Sequence, residues 1–464
     1  MTSHERALAP DPEHERFLAM PIDRAAWLTG AAGTGKTTLA LRRLAAHRRA
    51  DPDVHAVVIV PVDGLVAPIE RLCARLGAGA EVTTFDRWVT REAHRVFPRI
   101  PRRRSQDTPA ASVAFRRHPA VRAVLDDVVV RGDTVRAGHL FELWGDDRLL
   151  AAIVDASDGA LDPAMAAATR DHAAIQHAAR DRDDDGRLIR SFGVPLTDGT
   201  PLHDAESLAA EDLPVLFALR AIATGGRPAV REIDHLVIDE AQELAPLELA
   251  LLGTAALGGA ALTVAGDDRQ RLDPTAWFDG WPASLRELGR RFEPFALTRG
   301  YRSHPEIAAV SDALRRGDAV PPPSDRVGWW VWPDRDARDR AVLDAVDAGA
   351  ASTAVVAATR AEAARLRDLL RGRRVVCAIP ADLRGQEFDR VVVADADAYG
   401  DPDRDALYVA VSRARHQLQL HAVAGMSPLL ATPRSAPGST PAPATRPATP
   451  VADDRTGRSS DPTG

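Results

Sequence analysis

The densest chemical signal in the chain is the run Gly30-Ala31-Ala32-Gly33-Thr34-Gly35-Lys36-Thr37-Thr38. It fits the spacing G-x-x-x-x-G-K-T, in which glycines let backbone amides curl around a phosphate and a following helix N-terminus adds positive potential. In such a loop the Lys36 ammonium reaches the β- and γ-phosphates of ATP, and the Thr37 hydroxyl ligates Mg²⁺. Lys36 is the only lysine in the chain; every other one of the 59 basic residues is arginine. The one compact point charge therefore stands where phosphate wants it. At this composition the pattern is expected by chance about 0.0005 times, so an accidental glycine turn is negligible. A second element, His235-Leu236-Val237-Ile238-Asp239-Glu240-Ala241-Gln242, is an apolar run ending in two carboxylates. Asp239 can hold Mg²⁺ and Glu240 can polarise the water that attacks a γ-phosphate. Alone, such a pair is as often a solvated loop; beside the phosphate loop it reads as a site.

Both motifs need strands to present them. Residues 22–90 alternate β-branched or apolar runs with helical periodicity: Ala26-Trp27-Leu28, then a helix over Thr37 to Arg49, then Ala56 to Val60 and Glu81 to Phe85. This is a βαβ pattern and implies a parallel sheet. Further strand-like runs fall at His235 to Ile238, Ala261 to Ala265, Trp329 to Trp332, Thr353 to Ala357, Val375 to Ala378, Val391 to Ala394 and Leu418 to Ala422. Arg91 to Arg231 is rich in Ala, Arg and Asp and reads as a mainly helical insertion, with loops at Asp181 to Gly186 and Gly193 to Pro201. Met426 to Gly464 is rich in Pro, Ala, Ser and Thr and reads as a disordered tail.

At 464 residues, 45 % of them hydrophobic and 27 % charged, the chain has material for two or three domains with ordinary cores. Cys73 and Cys377 are too few for a disulfide framework, and the natural compartment is the cytoplasm. The first residues lack the apolar core of a secretory signal, and Leu249 to Gly266 is broken by glycines, so no membrane segment is expected. A net charge of −7 excludes a global basic field, so any nucleic acid must sit in a local groove.

Besides the phosphate loop, six blocks resemble the UvrD/Rep-like branch of superfamily 1 helicases and follow in its order. Beyond the phosphate loop and Asp239-Glu240-Ala241-Gln242, these include Val82-Thr83-Thr84-Phe85-Asp86-Arg87-Trp88 and Gly266-Asp267-Asp268-Arg269-Gln270. Later come Tyr301-Arg302-Ser303, preceded by Gly300 where the family has Asn, then Arg384-Gly385-Gln386-Glu387-Phe388-Asp389, and Leu407-Tyr408-Val409-Ala410-Val411-Ser412-Arg413-Ala414. The resemblance spans about residues 8–425 apart from the insertion. It implies an α/β protein of two RecA-like P-loop NTPase domains with parallel sheets. The first domain would be residues 1–94 and 231–298, interrupted by the helical insertion 95–230. The second would be 299–425, followed by the tail 426–464.

The family's roles carry over residue by residue. Gln242 and Gln270 would sense the γ-phosphate. Arg302 and Arg413, from the second domain, would be arginine fingers. Tyr301 would stack on adenine, and Glu387 would contact the ribose. His14 stands near the place of the family's adenine-reading glutamine and reads equally as a solvated histidine. The implied activity is ATP-driven movement 3′ to 5′ on single-stranded DNA, with RNA left open as the polymer.

Departures concentrate on the nucleic-acid side. Val60-Pro61-Val62-Asp63-Gly64 and Cys377-Ala378-Ile379-Pro380 replace the family's usual blocks, and the expected stacking aromatic is displaced to Trp277-Phe278. Trp277 reads as a stacking platform or as core. Arg95, Arg99, Arg102, Arg103 and Arg104 read as phosphate contacts or as a solvated face. Thr275 to Glu306 and Leu407 to Leu420 also resemble the HelD-like, RNA-polymerase-associated branch. The competing expectation is therefore an ATP-driven switch for a protein partner, such as RNA polymerase or a repair or defence complex.

Overall fold

Short β-branched and alanine-rich runs form the strands, and their burial explains their lack of alternation. The computed structural model describes residues 12–105, 107–125, 135, 137–177, 206–227, 229–256, 258–300, 302–349, 352–383, 385–423 and 425–430. Strand β2 (Ala56–Val60) is buried at all five positions, as a central strand of a two-faced parallel sheet must be. Its neighbours are β1 (Ala25–Gly30), β3 (Glu81–Thr84), β6 (His235–Ile238), β7 (Ala261–Gly266) and β8 (Phe292–Leu297), in the order β3-β2-β6-β7-β1-β8, with every pairing parallel. Two short strands, β4 (Arg103–Arg104) and β5 (Ser207–Leu208), pair with each other within the helical region.

Val58 and Val60 face one core with Leu39, Leu44 and Cys73, from the helices Lys36–Ala50 and Val66–Leu76. Val57 and Ile59 face the other, with Trp88, Leu216 and Leu252. That second core continues without a break into the helices of residues 110–177 and 212–224, through Phe115, Val121, Trp144 and Phe217. The helical region is thus a thickening of one face of the sheet. Inside it Arg116 and Asp212 form a fully buried pair at 3.2 Å, completed by Trp144 Nε1 donating to Asp212 at 2.9 Å and by Gln176. The loops expected at 181–186 and 193–201 lie outside the described residues.

A second parallel sheet follows, ordered β11-β10-β12-β13-β9. Its members are β9 (Val327–Val331), β10 (Thr353–Val356), β11 (Val376–Ala378), β12 (Phe388–Val393) and β13 (Ala414–Ala422). The helices Pro305–Arg316 and Arg404–Ser412 cover one face; Arg335–Asp347 and Arg360–Leu369 cover the other. Leu429 and Leu430, inside the segment expected as tail, are buried in the first of these cores; residues 431–464 lie outside the described set.

Of the strands in the two large sheets, one escaped the periodicity. β8 reads Phe-Glu-Pro-Phe-Ala-Leu, with Pro294 and an exposed face, because it is the edge of the first sheet, where a missing amide and a charge are tolerated.

Candidate active site

All six strands of the first sheet are parallel, so their carboxyl ends share one edge, where open α/β sheets collect ligands. β1 ends at the phosphate loop, β6 at Asp239-Glu240, and β7 at Gly266-Asp267. Because β7 lies between β6 and β1, the three termini are neighbours.

Two glycines of the loop, Gly33 and Gly35, have φ of 80° and 88°, a region other residues rarely adopt. A Cβ on Gly33 would stand 2.8 Å from Arg302 Cβ, so the second half sits directly against the loop. Lys36 is buried, and its ammonium donates to the Gly30 and Ala31 carbonyls at 2.8 and 3.1 Å. The Thr37 hydroxyl donates to both carboxylate oxygens of Asp239, at 3.0 and 2.9 Å. Burial first, and the adjacent Glu240 second, carry the Asp239 carboxyl up to about 7, against Thr37 and Lys36. A buried carboxylate beside a hydroxyl, short of positive charge, is a donor set suited to a hard cation such as Mg²⁺. The curled loop, the buried ammonium and this oxygen pair fit Mg²⁺ with a nucleoside triphosphate.

Glu240 adopts φ of 51°, a strained value for a non-glycine residue, and its carboxylate accepts from Gln242 Nε2 at 2.8 Å. Gln242 Oε1 in turn accepts from the Asp267 amide at 3.3 Å. Gln270 Nε2 donates to Asp267 at 3.0 Å, and Gln270 Oε1 accepts from Arg413 Nη2 at 2.6 Å. Arg413 is buried; desolvation, followed by the nearby Arg302 charge, lowers its guanidinium below the ordinary range. Arg302 pairs with Glu387, which also accepts from Arg415 Nε at 2.8 Å. The expected fingers therefore differ: Arg413 already meets the glutamine of the first half, whereas Arg302 is held by Glu387. His14 is buried against Gly35, 3.7 Å from where its Cβ would be. Thr38, Gly33, Gly35, Arg302 and Glu387 line a cleft of about 730 Å³, walled on the far side by Pro68, Ile69, Arg71 and Leu72. That is nucleotide-sized. Thr34 turns inward, its hydroxyl on the Ala31 carbonyl at 2.9 Å. Tyr301 lies outside the described residues.

Residues without an assigned role also meet here. Asp267 is fully buried and takes the Tyr408 hydroxyl at 2.6 Å and Arg315 Nε at 3.2 Å. Burial pushes this carboxyl up, but Lys36, Arg315, Tyr408 and Gln270 together hold it below the usual range. A carboxylate ending the strand next to the phosphate-loop strand was the signal that could have singled it out.

The nucleic-acid-side expectations fare differently. Trp277 is partly buried and held in place: its Nε1 donates to the Ala114 carbonyl at 2.7 Å, and His118 packs against its ring in a T-shaped contact at 4.5 Å. Arg95 pairs with Glu92 at 2.9 Å, and Arg104 with Thr90. Around Trp277 lies a groove of about 1000 Å³ whose walls include Asp158, Asp273, Asp279, Asp403 and Asp405, with Arg271 and His118.

Residues 19–274 match the family model described as an AAA domain, and residues 383–420 match a UvrD-like helicase C-terminal domain. None of the curated proteins compared with the chain matches it. Among solved structures, the C-terminal domain of a possible DNA helicase from Lactobacillus plantarum WCFS1 shares 27 % identity. That match covers 29 % of this chain and 94 % of that one, with a TM-score of 0.25. An arterivirus nonstructural protein 10 (helicase), solved as a complex with DNA, shares 12 % identity over 88 % of this chain, with a TM-score of 0.35. The chain spans 62 % of that helicase's length.

Proposed function

The chain belongs to the AAA-domain family and is a UvrD/Rep-like, ATP-hydrolysing helicase; from that premise we propose that it moves 3′ to 5′ on single-stranded DNA. In this reading Lys36 and the loop amides bind the phosphates, while Thr37 and Asp239 hold Mg²⁺. When bound, the metal supplies charge neutralisation at the transferring phosphoryl group. Glu240 accepts the proton of the attacking water, and Gln270 with Gln242 orients that water against the γ-phosphate. Arg413 and Arg302 deliver positive charge from the second half, which ties hydrolysis to closure of the two halves. His14 is assigned to the base, Tyr301 to stacking on adenine and Glu387 to the ribose, as the family resemblance implies. The observation that supports the hydrolysis part of the reading is the 2.6 Å bond from Arg413 to Gln270, joining one half's guanidinium to the other half's sensor glutamine. No helix among the described residues is long and apolar enough to cross a membrane, and Cys73 and Cys377 are buried free thiols.

The test is ATP turnover with and without single-stranded DNA at low salt, alongside strand displacement on duplexes tailed in either polarity. Stimulation with 3′-tail preference supports the reading, and absence of any stimulation rejects it.

One observation favours a second reading, an ATP-driven switch for a protein partner such as RNA polymerase or a repair complex. The groove beside Trp277 is walled by aspartates, which repel a phosphodiester and suit a basic protein segment. RNA in place of DNA meets the same repulsion. Capture of a partner that depends on bound nucleotide, with turnover indifferent to DNA and RNA, would favour the switch.

A further inference from the structure

Tyr408 belongs to the helix Arg404–Ser412 in the second half, yet its hydroxyl ends in the first half. It accepts a hydrogen bond from the Ala32 amide of the phosphate loop at 2.9 Å and donates one to Asp267 Oδ2 at 2.6 Å. The ring is fully buried, so both bonds are made without competing water. Few side chains can accept and donate through one atom at the end of a rigid ring. Burial and the Asp267 charge raise the phenol well above its ordinary value, which keeps the donated proton in place.

The placement has a geometric consequence. Arg413 follows this helix directly and is braced on it through Nε to the Val409 carbonyl at 3.1 Å and Nη2 to Ser412 Oγ at 2.9 Å. Fixing the helix at Tyr408 therefore fixes where the Arg413 guanidinium can reach. The other end of the same linkage, Asp267, also receives Gln270 Nε2, so the glutamine that meets Arg413 is set by the carboxylate that meets Tyr408. Arg315 adds a second tie from the same half, to Asp267 at 3.2 Å and Asp268 at 3.4 Å.

We propose that Tyr408 is a positioning residue that pins the second half to the phosphate loop through the Ala32 amide and Asp267, and so sets the register in which Arg413 meets Gln270. The proposal rests on the ATPase reading above for its kinetic consequence, but the pin itself does not require nucleotide.

Tyr408→Phe keeps the ring and removes the hydroxyl. The first measurement is amide hydrogen exchange in the full chain without nucleotide. The Ala32 amide is protected in the wild type, and it exchanges at least about tenfold faster in Tyr408→Phe. The second compares turnover at saturating Mg²⁺–ATP with equilibrium binding of a fluorescent non-hydrolysable ATP analogue. Turnover falls about tenfold or more while the analogue's Kd stays within about threefold, a split that a loosened fold would not give. An unprotected Ala32 amide in the wild type overturns the proposal without recourse to any variant. So does normal turnover in Tyr408→Phe, or a loss that appears in Kd instead of turnover. If the wild type itself hydrolyses no ATP, the function reading falls, and the exchange result still decides the pin.

Discussion

Replacing Arg413 with alanine tests whether hydrolysis is completed across the two halves. The guanidinium makes three contacts in the structure: Gln270 Oε1 at 2.6 Å, Ser412 Oγ at 2.9 Å and the Val409 carbonyl at 3.1 Å. It is 3 % exposed, so its charge acts with little screening by water. An arginine finger is worth about 10³–10⁵ in turnover, or roughly 4–7 kcal/mol of transition-state stabilisation. Arg302 stays available in the variant, which places the expected loss at the lower end, about 10³. Truncation also strips partners from buried acceptors, at about 1–3 kcal/mol, and this appears as a lower melting temperature. Phosphate release is measured at saturating ATP and 25 °C, where the variant is still folded, and binding of a non-hydrolysable analogue is measured alongside. The analogue's affinity should stay within about tenfold, because Lys36 and the loop amides are untouched. Arg302→Ala should also slow turnover, and the double variant should be little worse than Arg413→Ala, since the two act on one charge. Turnover within about threefold of wild type in Arg413→Ala would refute closure through this residue.

Glu240→Gln keeps the side-chain shape and should retain ATP binding while turnover drops by about 10² or more; loss of binding would instead assign Glu240 to the metal. Asp239→Asn should raise the melting temperature of the metal-free protein at pH 8 by at least about 2 °C while abolishing Mg²⁺-dependent turnover. The sign follows from a native carboxyl raised to about 7: between pH 4 and 7 the native state holds a proton the unfolded chain releases, so stability falls as pH rises. An unchanged or lower melting temperature at pH 8 contradicts the buried-charge account. His421, stacked on Trp330 and accepting from Trp332 Nε1 at 3.0 Å, is pushed down to about 4 by burial and then by Arg338. Here the unfolded chain binds the extra proton, so stability is full above pH 6.5 and falls by up to about 1.4 kcal/mol per unit towards pH 4. His421→Gln should flatten that part of the urea-unfolding profile, and an unchanged slope would show that other groups carry it.

What the amino-acid order made legible is local. A five-residue apolar run such as Ala56 to Val60, four of them β-branched, has one stable fate in a two-faced parallel sheet, and G-x-x-x-x-G-K-T encodes a loop whose geometry lies within eight residues. The same reasoning passed over β8, because at a sheet edge burial no longer disciplines the pattern and Pro294 is tolerated. It could not decide between two readings of Trp277, since that depended on Ala114 and His118, more than 150 residues away. Arg302 and Arg413 have the same side chain, and only the three-dimensional arrangement separates one held by Glu387 from one resting on Gln270.

Asp267 shows why the coupling itself was illegible. As one of two adjacent aspartates, it is marked locally only by its place at the carboxyl end of a strand, a place Asp239 shares. Its meaning comes from its partners: Gln270 three residues on, Arg315 48 residues on, and Tyr408 141 residues on. A carboxylate buried this completely persists only where several donors converge. Here the donors come from both halves, so the charge cannot be satisfied in full by either half alone. Separating the halves would strip Tyr408 and Arg315 from it and leave Gln270 and the Arg269 amide at 3.2 Å. The loss of those donors makes the closed arrangement self-reinforcing at the edge where the phosphate loop, the sensor glutamines and Arg413 meet. Part of what holds the halves together thus lies beside the phosphate loop, in the donors that Tyr408 and Arg315 bring to Asp267.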